Sequence, residues 1–154
     1  MIAKPASEAI RVLIAEDNPG DVLLVREALQ LQELEFELLI KTDGEQMLAF
    51  IEMMDATKLA WPDIILLDIN LPKHNGEFLL RRMYESPICS RIPVIVITSS
   101  ASRQDREIAS SLGARGYFQK LPDFDEFMRL GTLVRHVLQE ERTFYALGEN
   151  KREY

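Results

Sequence analysis

Two apolar runs in this chain, Asp63–Leu67 (DIILL) and Pro93–Ile97 (PVIVI), are nearly unbroken Ile, Val and Leu. A strand with one wet face alternates apolar and polar residues. Continuous runs instead belong to strands buried on both faces, the condition of a parallel sheet covered by helices. Arg11–Ala15 (RVLIA) and Phe36–Ile40 (FELLI) read as two more strands, and Gly116–Gln119 (GYFQ) as a weaker fifth. Short apolar runs can also be helix fragments, so the segments between them decide.

Those segments carry helical spacing. Asn18-Pro19 pairs a cap residue with a proline placed where the first-turn N–H is dispensable. Val22, Val25 and Leu29, with Leu24 and Ala28, lie beyond it on one face. Met47, Leu48, Phe50, Ile51 and Met54 make a second stripe; Phe78, Leu79 and Met83 make a third behind Asn75-Gly76. Ile108, Ala109 and Leu112 make a short fourth, ended by Gly113. Asp123 and Glu126 resemble a capping box ahead of Phe127, Leu130, Val134, Val137 and Leu138. Strand and helix thus alternate five times, which predicts right-handed crossovers and an α/β fold with a five-stranded parallel sheet and helices on both faces.

Composition bounds the rest. The 154 residues, 47% hydrophobic and 28% charged, suit one soluble globular domain. With 18 Lys+Arg against 25 Asp+Glu, the net charge of −7 argues against a protein that coats nucleic acid or an anionic membrane. A single cysteine, Cys89, excludes an internal disulfide and a cysteine-rich zinc site. No leader-like start and no long apolar run is present, so the expected location is the cytoplasm. The chain divides into an N-terminal extension over 1–10, one domain over 11–141 and a charged C-terminal tail over 142–154.

The polar residues that end the apolar runs are more telling. Glu16-Asp17 ends the first, Asp68 the third, Thr98 the fourth and Lys120 the fifth. Taken singly, Asp17 reads as a helix cap, Thr98 as a β-branched strand residue and Lys120 as a solvated loop lysine. In an open parallel sheet, however, ligands bind beyond the carboxyl ends of the strands. Five polar groups in strand order would then meet at one edge, and the joint pattern outweighs the separate readings.

Two carboxylates about 4 Å apart repel by roughly 4 kcal/mol at an effective dielectric near 20. Three are tolerable only with a cation or with raised pKa values. Hard oxygen ligands suit Mg²⁺, which keeps several waters and shares phosphate oxygens with the protein. A carboxylate nucleophile, Mg²⁺, an ammonium and a hydroxyl together fit phosphoryl transfer.

Taken in order, several segments resemble the receiver domain of two-component response regulators. They are Glu16-Asp17-Asn18, the run from Asp63 through Asp68 to Pro72, Asn75-Gly76, Ile92 through Thr98, and Gly113 through Lys120. The resemblance spans about Arg11 to Glu141. It implies a CheY-like, flavodoxin-like sheet of order 2-1-3-4-5, with the switch-point geometry of that fold class. It also implies a role for each residue. Asp68 would accept a phosphoryl group from a phosphohistidine, carried by a sensor histidine kinase or a histidine phosphotransfer protein. Glu16, Asp17, Asp68 and the backbone carbonyl of Asn70 would hold Mg²⁺. Lys120 would contact the phosphoryl group, Thr98 would move toward it, and Tyr117 would swing inward behind Thr98. An ordinary half-buried aromatic is the plain alternative for Tyr117. Glu16 through Asp21 and the long Met54–Pro62 connection resemble, more particularly, stand-alone regulators paired with phytochrome-type kinases.

One departure stands out: Leu121 separates Lys120 from Pro122, where the family places proline directly after the lysine, often in a cis bond. The expectation here is a trans Leu121–Pro122 bond. Two other classes compete. An Asp-nucleophile phosphatase would want a second Asp two positions after the first, and this chain has Asn70. A phosphorylation-independent pseudo-receiver would not need the intact acidic pair, acceptor, hydroxyl and lysine. His74 and His136 have no partner arrangement that suggests catalysis. With no effector domain in the sequence, output is expected through a downstream protein target or a homodimer, using the fourth and fifth helices. The tail, with Phe144, Tyr145 and Leu147 among charges, reads either as loosely docked or as part of that surface.

Overall fold

A computed structural model describes residues 9–151, with side chains described as far as Glu141. Five strands, β1 (Ile10–Ala15), β2 (Phe36–Lys41), β3 (Ile64–Asp68), β4 (Val94–Thr98) and β5 (Gly116–Gln119), form one parallel sheet in the order β2-β1-β3-β4-β5. Between and after them run α1 (Pro19–Leu31), α2 (Gly44–Thr57), α3 (Gly76–Glu85), α4 (Arg103–Ser111) and α5 (Phe124–Lys151). A short 3₁₀ turn, Cys89–Arg91, leads into β4. The expected sheet order and helix placement are both observed.

The continuous apolar runs occupy the middle of the sheet. Every residue of β3 and β4 is buried, while β2 at the edge keeps only partial cover. Side chains alternate between two cores, as the period of two in a strand requires. Leu13, Ile65, Leu67, Val94 and Val96 face α2, α3 and α4. Val12, Ile14, Ile64, Leu66, Ile95 and Ile97 face α1 and α5.

The helix starts obey their caps. Asn18 Oδ1 accepts from the amides of Gly20 and Asp21, and Asp43 Oδ1 accepts from Gln46 N at 2.8 Å. Asp123 Oδ1 accepts from Glu126 N at 3.0 Å, which is the first half of the anticipated box. Gly113, after α4, has φ of +84°, a left-handed conformation that a side chain would strain.

Three features differ from or extend the sequence reading. In α3 the buried face is Leu79, Leu80 and Met83, and Phe78 is 46% exposed. Phe78 instead stacks on His74 with ring centroids 5.2 Å apart. At about 100° per residue, Phe78 lies about 150° from the middle of a stripe centred between Leu79 and Leu80, on the outer side of the helix. Second, α5 continues past Glu141 to Lys151, so the segment expected to be a tail is helical that far. Its side chains, with Phe144, Tyr145 and Leu147, lie outside the described ones. Ile10, expected in the extension, opens β1, and residues 1–8 lie outside the described chain. Third, among the described residues the cis peptide bond is Trp61–Pro62, so Leu121–Pro122 is trans as expected.

A polar staple joins α2 to the end of α3. The buried Ser86 hydroxyl donates to Asp55 Oδ1 and accepts from Cys89 N at 2.9 Å, while Arg82 Nη2 donates to Asp55 Oδ2 at 3.0 Å. The Ser86 hydrogen bond, helped by Arg82, holds the Asp55 carboxyl below its ordinary 3.8. Burial, with the Asp55 charge nearby, pushes the Cys89 thiol up to about 12, so it is inert as a nucleophile at neutral pH. Ser86→Ala strands the Cys89 amide and is expected to cost about 2 kcal/mol in urea unfolding. A depressed carboxyl stabilises the fold above its unfolded pKa and loses that contribution as pH falls through its folded value. The gap between wild type and Ser86→Ala should therefore be full above about pH 5 and narrow below pH 3.8.

Candidate functional site

Parallel strands bring their carboxyl ends to one edge, and the residues singled out there do converge. Asp68 is the last residue of β3 and Thr98 the last of β4, at 4% and 0% exposure. Glu16 comes directly after β1 and is 1% exposed, whereas its neighbour Asp17 is exposed. Lys120 comes directly after β5, and its amide donates to the Thr98 carbonyl at 2.7 Å, extending the β4–β5 ladder by one bond.

The Lys120 ammonium is the electrostatic centre. Its Nζ lies 2.6 Å from Glu16 Oε2, 2.9 Å from Asp21 Oδ2 and 3.0 Å from Asp68 Oδ2. An ammonium has three N–H donors, and three carboxylates take them. Burial alone would lower the lysine pKa, but bonds to Glu16, Asp21 and Asp68 more than offset this and hold it above the ordinary 10.5. Glu16 responds the other way. Burial and then the Asp68 charge raise it from 4.5 to about 7, although the Lys120 bond pulls it down.

The remaining groups orient the Asp68 carboxylate and the Thr98 hydroxyl. Asn70 N donates to Asp68 Oδ1 at 2.9 Å, which fixes the carboxylate plane. Thr98 Oγ1 accepts from Ser100 N at 3.0 Å and from Asn70 Nδ2 at 3.4 Å. The half-buried Tyr117 donates its hydroxyl to the Ser100 carbonyl at 3.2 Å, and Arg106 lies 5.0 Å over its ring. Ser100 Oγ also donates to Asp105 Oδ2 on α4 at 2.8 Å. A chain of short contacts thus runs from Asp68 through Asn70, Thr98 and Ser100 to Tyr117 and the start of α4.

Glu16, Asp17 and Asp68 each bring a carboxylate oxygen within 4.8 Å of the others. That donor set is all hard oxygen with one exposed member, which fits a divalent cation that retains water and rejects the softer metals.

Asp21 belongs to this cluster too, and sequence reasoning misses it. An acidic residue in the first turn of a helix is routine, and a place at N3 behind Asn18 gives it that role by default. The available signal is one of number: a single lysine against at least three carboxylates at the same edge. The histidines stay outside the site as expected, His74 against Phe78 and His136 paired at 3.0 Å with Glu140.

The fold and this edge are those of a receiver domain. The family model of the response regulator receiver domain matches residues 12–130, and the chain belongs to that family. Response regulator Rcp1 of Synechocystis sp. is 32% identical over 120 residues, which is 77% of this chain and 82% of Rcp1. The crystal structure of the phosphorylated cyanobacterial phytochrome response regulator RcpA has a TM-score of 0.75 and 26% identity, covering 86% of this chain and 95% of RcpA. The Mn²⁺-bound form of Rcp1 has a TM-score of 0.70 and 31% identity, covering 79% of this chain and 88% of that one. Among the described residues no helix is long and apolar enough to cross a membrane.

Proposed function

We propose that this chain receives a phosphoryl group on Asp68 from a phosphohistidine and converts it into a change at its β4–α4 and β5 surface. The observation that carries this reading is the pairing of Asp68 with Lys120 at 3.0 Å beside the Glu16 and Asp17 carboxylates. One Asp68 carboxylate oxygen attacks phosphorus, the bond from phosphorus to the imidazole nitrogen breaks, and the donor histidine leaves as neutral imidazole after protonation. The product is an acyl phosphate on Asp68.

Each neighbour has a part in that step. Lys120 already touches the attacking group and lies where its N–H donors can meet the transferred oxygens, in a site dry enough to strengthen the attraction. Asn70 N holds the other Asp68 oxygen. Glu16, Asp17 and Asp68, with the Asn70 carbonyl, would hold Mg²⁺, which when bound neutralises charge on the phosphoryl oxygens. An added phosphate carries about −1.5 to −2 charge, and the Thr98 hydroxyl is the nearest neutral donor on β4 to meet it. Turning Thr98 toward Asp68 strains its bonds to Ser100 and Asn70. Ser100 in turn holds Tyr117 and Asp105, so the change reaches α4 and β5. Asn70 in place of a second aspartate leaves no general acid two residues on, which favours a persistent acyl phosphate over turnover.

The likeness to phytochrome response regulators supports a phytochrome-type sensor kinase in the cytoplasm as the donor. A downstream protein, or a second copy of the chain, would read the altered α4–β5–α5 face.

Incubation with acetyl phosphate, then intact mass measurement, tests the reading. Wild type should gain one phosphoryl group with Mg²⁺, none with EDTA, and lose it to hydroxylamine. Continuous release of inorganic phosphate at many equivalents per minute would favour a phosphatase, and no adduct with any donor would favour a pseudo-receiver.

A further inference from the structure

We propose that Asp21 is a positioning residue for phosphoryl uptake, the anchor that keeps Lys120 aimed at Asp68 while its other two partners change. The proposal rests on the phosphoacceptor reading above. In the resting site Lys120 Nζ is shared among Glu16, Asp21 and Asp68. Glu16 and Asp68 both contribute oxygens to the cluster suited to a divalent cation, and Asp68 is the group that reacts. When a cation is bound, their lone pairs are redirected; when Asp68 is phosphorylated, one of its oxygens is taken into the bond to phosphorus. Asp21 does neither. It is the one carboxylate of the three with no oxygen in that cluster.

Asp21 is also built to stay in place. It sits in the first turn of α1, with its amide held by Asn18 Oδ1 and with Pro19 fixing the preceding turn. The next residue, Val22, is buried, and Val25 locks the same helix into the core. Lys120, by contrast, has four rotatable methylenes and stands at the mouth of the β5–α5 loop. A flexible ammonium facing an incoming anion gains from a fixed second acceptor, because orientation is then supplied before the reaction. The plain role of a first-turn acid, compensating the helix dipole, needs no lysine and predicts a loss of stability only.

The test compares wild type, Asp21→Asn, Asp21→Glu, Lys120→Met and the double variant Asp21→Asn/Lys120→Met, each with acetyl phosphate at saturating Mg²⁺. The readouts are the rate of adduct formation, Mg²⁺ affinity by titration calorimetry, and the thermal midpoint. Asp21→Asn should slow uptake about tenfold, the worth of one charge-assisted hydrogen bond, while Mg²⁺ affinity changes by less than about threefold. Asp21→Glu should recover most of the rate. In the Lys120→Met background, removing Asp21 should have no further effect, since the lysine it positions is gone.

A wild-type or faster rate for Asp21→Asn would overturn the proposal, a faster one marking Asp21 as a competitor for the lysine. An equal slowing in both backgrounds would overturn it too. Failure of wild type to take up phosphate would remove the phosphoacceptor reading itself. Uptake by wild type with Asp21→Asn unaffected would remove only the anchor.

Discussion

Lys120→Met is expected to slow phosphoryl uptake by at least about a hundredfold while tightening Mg²⁺ binding. The ammonium is the cation nearest the acceptor, and removing one preorganised donor aimed at developing charge typically costs about 10²–10³ in rate. The same substitution removes a positive charge from beside the Glu16, Asp17 and Asp68 cluster, so a divalent cation meets a more negative site. Opposite signs for rate and metal affinity separate this outcome from simple unfolding. Without metal the variant should also be less stable. Glu16 and Asp68 are almost fully buried and lose their shared partner, and breaking such a pair costs about 3–5 kcal/mol unless the carboxylates take up protons. Proton uptake gives that loss a pH dependence. Glu16, already raised to about 7 by burial, rises further once the lysine is gone. A carboxyl raised on folding stabilises the fold while it is protonated, and loses that contribution as pH rises through its folded value. The deficit of Lys120→Met should therefore be largest near pH 8, smaller near pH 5, and reduced by Mg²⁺. Urea unfolding at the two pH values, with and without the ion, measures it.

Gly131→Ala should destabilise the fold by about 2 kcal/mol, against the ordinary preference of helices for alanine. In an exposed helix the change would stabilise by about 1 kcal/mol. Gly131 lies where α5 meets α1, and a Cβ there would stand 2.2 Å from the Ala28 carbonyl oxygen and 2.9 Å from Gln32 Cγ. The Gln32 side chain can move aside, but the Ala28 carbonyl belongs to the α1 backbone. The two helices must then separate, opening the packing of Val25, Ala28, Leu29, Leu130 and Val134; a clash with backbone places the overpacking cost at about 3 kcal/mol, which less the helix gain of about 1 kcal/mol leaves the net figure. A net 2 kcal/mol corresponds to a fall of about 4–8 °C in thermal midpoint for a domain of this size. Because α1 also carries Asp21, the variant should slow phosphoryl uptake as the helix shifts. An unchanged midpoint would mean that the α1–α5 contact is looser than it stands.

The sequence speaks most clearly where one physical demand acts alone. β3 and β4 are legible because two-sided burial leaves only Ile, Val and Leu, and the residues that end those runs, Asp68 and Thr98, are polar at full burial. The convergence of Glu16, Asp68, Thr98 and Lys120 comes from parallel strands sharing an edge, with no distances needed. Residues with two adequate explanations are harder. Asp21 satisfies a helix start as well as a lysine 99 positions away in sequence, and only the 2.9 Å contact separates the two. Phe78 belongs to an apolar stripe by type but to the outer side of α3 by angle. Ser100 and Asp105 carry the contact between Thr98 and α4, yet in sequence they are a loop serine and a first-turn acid. Gly131 is silent in sequence because closeness between helices leaves no local pattern. The end of the domain is no sharper, since α5 crosses Glu141 without a stop signal.

The central claim is that Asp68 itself carries the phosphoryl group. Treating the Mg²⁺–acetyl phosphate product with borohydride, then reading the peptide that spans β3 by tandem mass spectrometry, tests it at the level of one residue. Hydride reduces an acyl phosphate to an alcohol with loss of phosphate, so wild type should show homoserine at position 68 and Asp68→Asn should show no reduced residue. Homoserine at position 17 or 21, or an adduct of equal amount in Asp68→Asn, would contradict the account.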